Sequence, residues 1–179
     1  MPRPFDAVLV VSFGGPNGLE DIRPFLANVL RGRRVPPERV EEVVHHYERF
    51  GGVSPLTAIT MRQVEGLREE LSEADVHVPV YVGMRNWHPL LPDTFAQMSR
   101  NGARRVLAFV CAAYRSYSSC TQYRQNVADA RAELLAAGAH DVSVTFVGDW
   151  HTHDGFVAAN ADNIKSARQR LPEIGRAHV

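Results

Sequence analysis

The chain has 179 residues, 45% of them hydrophobic and 22% charged, with 20 basic residues against 20 acidic ones. That composition excludes a disordered, collagen-like or coiled-coil chain and predicts one globular domain, at roughly 150 residues per domain. The balanced charge leaves no global field to recruit nucleic acid or an anionic membrane surface.

Taken from its start, the chain opens on Met1-Pro-Arg-Pro-Phe-Asp and an apolar run of seven or eight residues. This is too short for a spanning helix, which needs about 20 apolar residues, and unlike a signal peptide. A soluble, cytoplasmic protein without a transmembrane segment is expected. Ala7–Phe13 is nearly continuous, β-branched and stopped by Gly14-Gly15-Pro16, the pattern of a strand buried on both faces of a parallel sheet. The helical period follows at Leu19–Leu30 (Ile22, Phe25, Leu26, Val29), Pro37–Phe50 (Val40, Val43, Val44, Tyr47) and Thr57–Leu71 (Ile59, Val64, Leu67). Further strands are predicted at Val78–Gly83, Arg105–Cys111 and Val142–Gly148, with helices near residues 90–101, 119–137 and 154–171. Strands alternating with helices imply βαβ crossovers and an α/β, Rossmann-like, doubly wound parallel sheet. Residues 172–179 enter what reads as another strand, so residues 1–179 are expected to form a truncated domain rather than one with a frayed end.

In such sheets ligands bind beyond the carboxyl ends of the strands, which directs attention to the loops there. Ser12-Phe-Gly-Gly-Pro16 is neither a G-x-G-x-x-G nor a P-loop, and by itself reads as a tight strand-to-helix turn. Ala112–Tyr123 packs three tyrosines, three serines and an arginine into twelve residues, flat faces with many donors that suit a planar, polar-rimmed ligand. Ser118 or Ser119 would cap the next helix. In Gly51-Gly-Val-Ser-Pro-Leu56 the glycines end one helix, Ser54 is a natural N-cap and Pro55 fits the first helical position. A Ser-capped helix N-terminus is also a ready carboxylate site. Arg31-Gly-Arg-Arg34 is a compact cationic turn.

Other signals are weaker. Lys165 is the sole lysine, so almost every cation is an arginine, a bias that genome composition explains although the planar fork suits carboxylates and phosphates. His151 and His153, followed by Asp154, could share one face, but a His-x-His pair lacks a third ligand at a defined spacing. Asp154 is expected to serve as helix cap or dipole partner instead. His45 and His46 read as one buried and one exposed position of an amphipathic helix. Cys111 and Cys120 form neither a C-x-x-C nor a disulfide scaffold, and two cysteines cannot close a zinc site.

Several of these blocks together resemble the ferrochelatase family. They are Val10-Val-Ser-Phe-Gly-Gly-Pro16 with Phe25-Leu-Ala-Asn-Val and Arg31-Gly-Arg, then His46-Tyr-Glu-Arg-Phe-Gly-Gly-Val-Ser-Pro-Leu56, Tyr81-Val-Gly-Met-Arg-Asn-Trp87, and Ser116-Tyr-Ser-Ser-Cys-Thr-Gln-Tyr123. The last two are similar to the actinobacterial form, which inserts iron into coproporphyrin III. The resemblance runs from about Phe5 to the final residue and implies a chelatase fold of two similar halves, of which this is the N-terminal one.

Carried over position by position, the resemblance makes Ser54 and Tyr123 porphyrin contacts, with Phe13, Arg31, Tyr47 and Tyr114 as further candidates for the cleft wall. Phe13 stands where some relatives place an iron-ligating tyrosine, so no proximal ligand is expected. The family's metal-handling histidine lies in an Ala-His-Ser strand, followed later by a glutamate. His178 sits upstream of that motif, so no catalytic or metal-ligating residue is assigned within the chain. Fe(II) is implied as substrate and coproporphyrin III as ligand. An iron–sulfur cluster is not expected, because the C-terminal cysteines of some relatives are absent and Cys120 alone could not bind one. The implied chemistry is distortion of the macrocycle while a base removes two pyrrole protons. The alternatives are a non-catalytic tetrapyrrole-binding module, and a cobalt or nickel chelatase of the same fold supported by His151 and His153 alone.

Overall fold

The structure, a computed structural model, describes residues 4–114, 116–117 and 121–171. The expectations placed on Ser118, Ser119, Cys120, His178 and a strand after residue 172 lie outside the described residues. Four strands, β1 (Ala7–Ser12), β2 (Val80–Met84), β3 (Arg105–Val110) and β4 (Ser143–Phe146), form a parallel sheet in the order β2-β1-β3-β4. Six α-helices connect and follow them: α1 (Ile22–Val29), α2 (Pro37–Glu48), α3 (Pro55–Glu73), α4 (Leu91–Arg100), α5 (Gln122–Ala136) and α6 (Asp154–Arg170). The α/β doubly wound reading of the periodicity therefore holds.

Strand alternation explains the two layers. Ala7, Leu9 and Val11 point to one face, where they pack with Leu91, Phe95 and Met98 of α4 and Val127, Ala130 and Leu134 of α5. Val8 and Val10 point to the other and meet Val80, Val82, Met84 and Val64 of α3. Every residue of β1 is buried, as its unbroken apolar run predicts for a central strand. β4 departs from that expectation: Ser143 and Thr145 are exposed while Val144 and Phe146 pack on the α5 side. The reason is positional, because β4 is an edge strand and the cluster around Val64 of α3 on the second face reaches no further than Phe109 and Cys111 of the β3 segment. Nor does α6 cover it. No residue of α6 is buried, and its first turn is tethered through Phe156 to Trp150 (4.9 Å between ring centroids) and through Trp150 to Phe109 (5.1 Å).

A third cluster stands over the carboxyl ends of β1 and β2, where Ile22, Phe25 and Leu26 of α1 meet Val44 of α2 and Trp87. Phe25 is fully buried and meets Phe13, Tyr47 and Trp87 edge-on, at 6.2, 5.9 and 6.4 Å. Two local expectations change here. The predicted helix at Leu19–Leu30 begins as a 3-10 turn at Leu19–Asp21, and α1 proper starts at Ile22. His45 and His46 are both exposed, because α2 buries Val44 as its single core position. His45 pairs with Glu48 through Nδ1 at 2.7 Å.

Candidate functional site

The strand order reverses at β1. The chain leaves it for β2 on one side, then returns to β3 on the other. In open α/β sheets that switch point opens a crevice beyond the strand ends. The loops bordering it are those after β1, after β2 and after β3, two of which the sequence had singled out.

The loop after β1 is held between neighbours too close to admit side chains. Gly14 has φ +81°, and a Cβ there would lie 2.9 Å from the Trp87 backbone nitrogen. A Cβ on Gly15 would come within 2.5 Å of Ser54 Cβ and Oγ. The Gly51–Ser54 turn therefore lies directly on this loop. Ser54 N–H donates to the Pro16 carbonyl at 2.8 Å, and the Thr57 hydroxyl donates to the Gly15 carbonyl at 3.4 Å. At Gly52 a Cβ would meet backbone rather than side chain, the Gly18–Leu19 segment at 2.5–2.7 Å.

Ser54 caps α3 as its sequence context required. Its Oγ accepts the Leu56 N–H at 3.3 Å, and Pro55 occupies the first helical position. The hydroxyl proton is left to donate, and the helix N-terminus adds a positive field. Ser54 borders an open pocket of about 550 Å³ lined by His46, Tyr47, Phe50, Val53 and Pro55. Tyr47 is half-buried, its ring against Phe25, and burial pushes its phenol pKa up. Phe50 is 80% exposed at the mouth. Planar apolar faces beside a donor at a helix N-terminus suit a flat molecule carrying a carboxylate.

The remaining candidates lie elsewhere around the crevice. Phe13 has left β1 and packs against Phe25. Tyr123, in the first turn of α5, is 6% exposed, and burial pushes its phenol up to about 12 despite the opposing charge of Arg85. Arg31 is exposed, donates to Asn28 Oδ1 at 2.8 Å and lines a second pocket of about 250 Å³, away from Ser54. Tyr114 lies beyond β3 against His151 and Phe156, at 5.8 and 6.1 Å. Ser54 and Tyr47 thus share one pocket, whereas Arg31 and Tyr114 border others.

His151 and His153 do not converge. His153 is itself the N-cap of α6, accepting the Gly155 N–H through Nδ1, a role expected of Asp154, which instead begins the helix. His151 stacks on Tyr114. Among the described residues no group of three His, Cys, Asp or Glu side chains could hold a metal ion. No helix among them is long and apolar enough to cross a membrane. Cys111 is half-buried at the end of β3, and burial pushes its thiol up to about 11.

One residue stands inside a quoted sequence block without having been assigned a role. Arg85, directly after β2, lies over the rings of Phe13 (5.7 Å) and Tyr123 (5.9 Å) and joins the two halves of the crevice. Its sequence signals are its place in the Tyr81–Trp87 block and at a strand's carboxyl end, which acquire meaning once β2 is known to flank the switch point.

Against known proteins, the ferrochelatase family model matches residues 5–179. Coproporphyrin III ferrochelatase of Streptomyces griseus is 44% identical over 98% of this chain and 47% of its own length. That of Nocardia farcinica is 45% identical over 93% of the chain and 47% of its own length. A ferrochelatase of Rhodopirellula baltica is 44% identical over 94% and 47%. The chain spans about half the length of the curated relatives it matches.

Proposed function

Because the chain belongs to the ferrochelatase family, we propose that it forms the porphyrin-holding part of an enzyme that inserts Fe(II) into coproporphyrin III, acting in the cytoplasm. The observation that carries this reading is the Ser54-capped start of α3 at the mouth of a pocket walled by Tyr47 and Phe50. A propionate accepts the Ser54 hydroxyl proton and lies in the field of the helix N-terminus. The macrocycle packs against Tyr47 and Phe50, and Tyr123 supports the opposite wall. The names of the relatives from Streptomyces and Nocardia favour coproporphyrin over other tetrapyrroles.

Metal insertion requires the pyrrole nitrogens to lose two protons to a base as Fe(II) enters. We assign this chain the holding and orienting of the macrocycle. The proton and metal handling belongs to a partner half, in keeping with relatives about twice as long. The 179-residue chain alone is then catalytically incomplete. An absorbance titration with coproporphyrin III, followed by anaerobic Fe(II), tests both statements. Saturable binding that Ser54→Ala weakens, without a metalloporphyrin spectrum, is the expected result. Absence of binding by the folded chain refutes the holding role, and formation of metalloporphyrin refutes the incompleteness.

A further inference from the structure

The reading above makes no use of one buried polar contact. Ser12 is the last residue of β1, and Thr60 stands in the second turn of α3. Both are fully buried, and Ser12 Oγ lies 2.8 Å from Thr60 Oγ1, so that one hydroxyl donates and the other accepts. Asn86, Thr94 and Ser99, the other buried polar side chains among the described residues, each donate to a main-chain carbonyl. Ser12 and Thr60 instead depend on each other.

The pair continues an apolar row. Val8, Val10 and Ser12 share one face of β1, and Val64 and Thr60 lie one turn apart on α3. A row that begins with valine against valine therefore ends with hydroxyl against hydroxyl. Alanine at 12 and valine at 60 would fill nearly the same space without a polar atom. Contacts between valines are non-directional and tolerate small slides of α3 along β1. A hydroxyl pair does not, because its bond survives only over a few tenths of an ångström, and breaking it strands two polar groups away from water. The pair thus marks one register of α3 against β1.

That register decides where Ser54 stands. Ser54 is the N-cap of α3, six residues before Thr60 and so about 9 Å away along the helix axis. Its clearance from the loop after β1 is small, since a Cβ on Gly15 would lie 2.5 Å from both Ser54 Cβ and Oγ. The other side-chain ties of α3 to the sheet hold it less firmly. Thr57 donates to the Gly15 carbonyl at 3.4 Å, a long bond, and Arg68 reaches the Val80 carbonyl at 3.0 Å on a long, flexible stem. We propose that Ser12 and Thr60 are a positioning pair for porphyrin binding, whose hydroxyl bond fixes α3 against β1 and so places the Ser54 hydroxyl in its pocket. The inference rests on the holding role proposed for Ser54. Neither Ser12 nor Thr60 lines that pocket, so both act through Ser54.

Thermal unfolding and coproporphyrin III titration of the 179-residue chain, the latter well below each variant's Tm, separate this role from ordinary packing. Thr60→Val strands the Ser12 hydroxyl in an apolar layer. Ser12→Ala leaves Thr60, whose hydroxyl can turn back to a carbonyl of its own helix. Both should lower Tm, Thr60→Val by more. The double variant Ser12→Ala/Thr60→Val removes both polar groups and should regain most of that Tm, yet bind coproporphyrin about tenfold more weakly because α3 is free to shift. Thr60→Ser keeps the hydroxyl bond and loses a buried methyl, so it should lower Tm while binding within about twofold of the unmodified chain. Added to Ser54→Ala, the double substitution should weaken binding no further, since the hydroxyl it misplaces is already gone. Affinity that follows Tm through the series, or a double variant that binds like the unmodified chain, overturns the positioning role and leaves the holding role of Ser54 intact. An equal further loss in the Ser54→Ala background overturns it too, because the pair would then act by another route. Absence of binding by the folded, unmodified chain overturns both roles.

Discussion

The sharpest test of how the crevice is built compares two adjacent glycines. Gly51 and Gly52 both adopt left-handed backbone, at φ +70° and +75°. Alanine at either position incurs the steric cost of that conformation, about 1–2 kcal/mol, and gains equally from a stiffer unfolded chain. They differ only in surroundings. A Cβ on Gly51 meets nothing within 4 Å, whereas one on Gly52 would lie 2.5 Å from Leu19 N, 2.6 Å from Gly18 C and 2.7 Å from Leu19 Cα. All three are backbone atoms, so relief requires the Gly51–Ser54 turn to lift from the loop after β1. Overpacking of this kind costs about 1–3 kcal/mol further. At about 2–4 °C per kcal/mol for a chain of this size, Gly51→Ala should lower Tm by about 2–8 °C and Gly52→Ala by about 4–20 °C. The assay is thermal and urea unfolding followed by circular dichroism, with coproporphyrin titration well below each variant's Tm. Gly52→Ala should also weaken the porphyrin, since Ser54 moves with the turn, while Gly51→Ala should not. Equal destabilisation by the two substitutions would refute the argument that close docking, rather than backbone conformation alone, demands glycine at 52.

Three further outcomes follow from burial. The Tyr123 phenol, at about 12 against an ordinary 10, stays protonated in the fold when the unfolded chain has ionised. Its contribution, on the order of 2 kcal/mol, is present in full below pH 10 and lost as pH rises through 12. Tyr123→Phe should therefore flatten the alkaline fall in Tm measured between pH 10 and 12, and an unchanged slope would contradict the shift. Cys111, pushed up to about 11, is about one part in a thousand thiolate at pH 8, so in a Cys120→Ser variant iodoacetamide should label the folded chain at least about 100-fold more slowly than the urea-unfolded one. Labelling at comparable rates would place Cys111 in solvent. Phe25→Ala removes a ring with three edge-on partners and should cost about 3–5 kcal/mol in urea unfolding. A loss below 1 kcal/mol would mean that the cluster over the strand ends repacks freely.

What the sequence determined by itself is what short-range physics encodes. The run Ala7–Ser12 reads as a buried strand because every side chain on both faces is apolar. Ser54 and Pro55 announce a helix start because capping involves only the next few backbone N–H groups. Elements, α/β class and the Ser54 cap were legible for that reason, with boundaries moved by up to three residues where turn geometry intervened, as at Leu19–Asp21. The tertiary structure alone decided what depends on strand order and on which face is covered. Burial of Val44 beside two exposed histidines follows from the packing of α2 on α1, and the half-bare β4 from its place at the sheet edge. Arg31, Arg33, Arg85 and Gln122 are scattered over some ninety residues and border one cavity only because β2 and β3 flank β1 and bring the loops beyond their ends to one place. Periodicity and motif spacing carry no information about such convergence, because it is set by the free energy of packing the whole sheet rather than by any local preference.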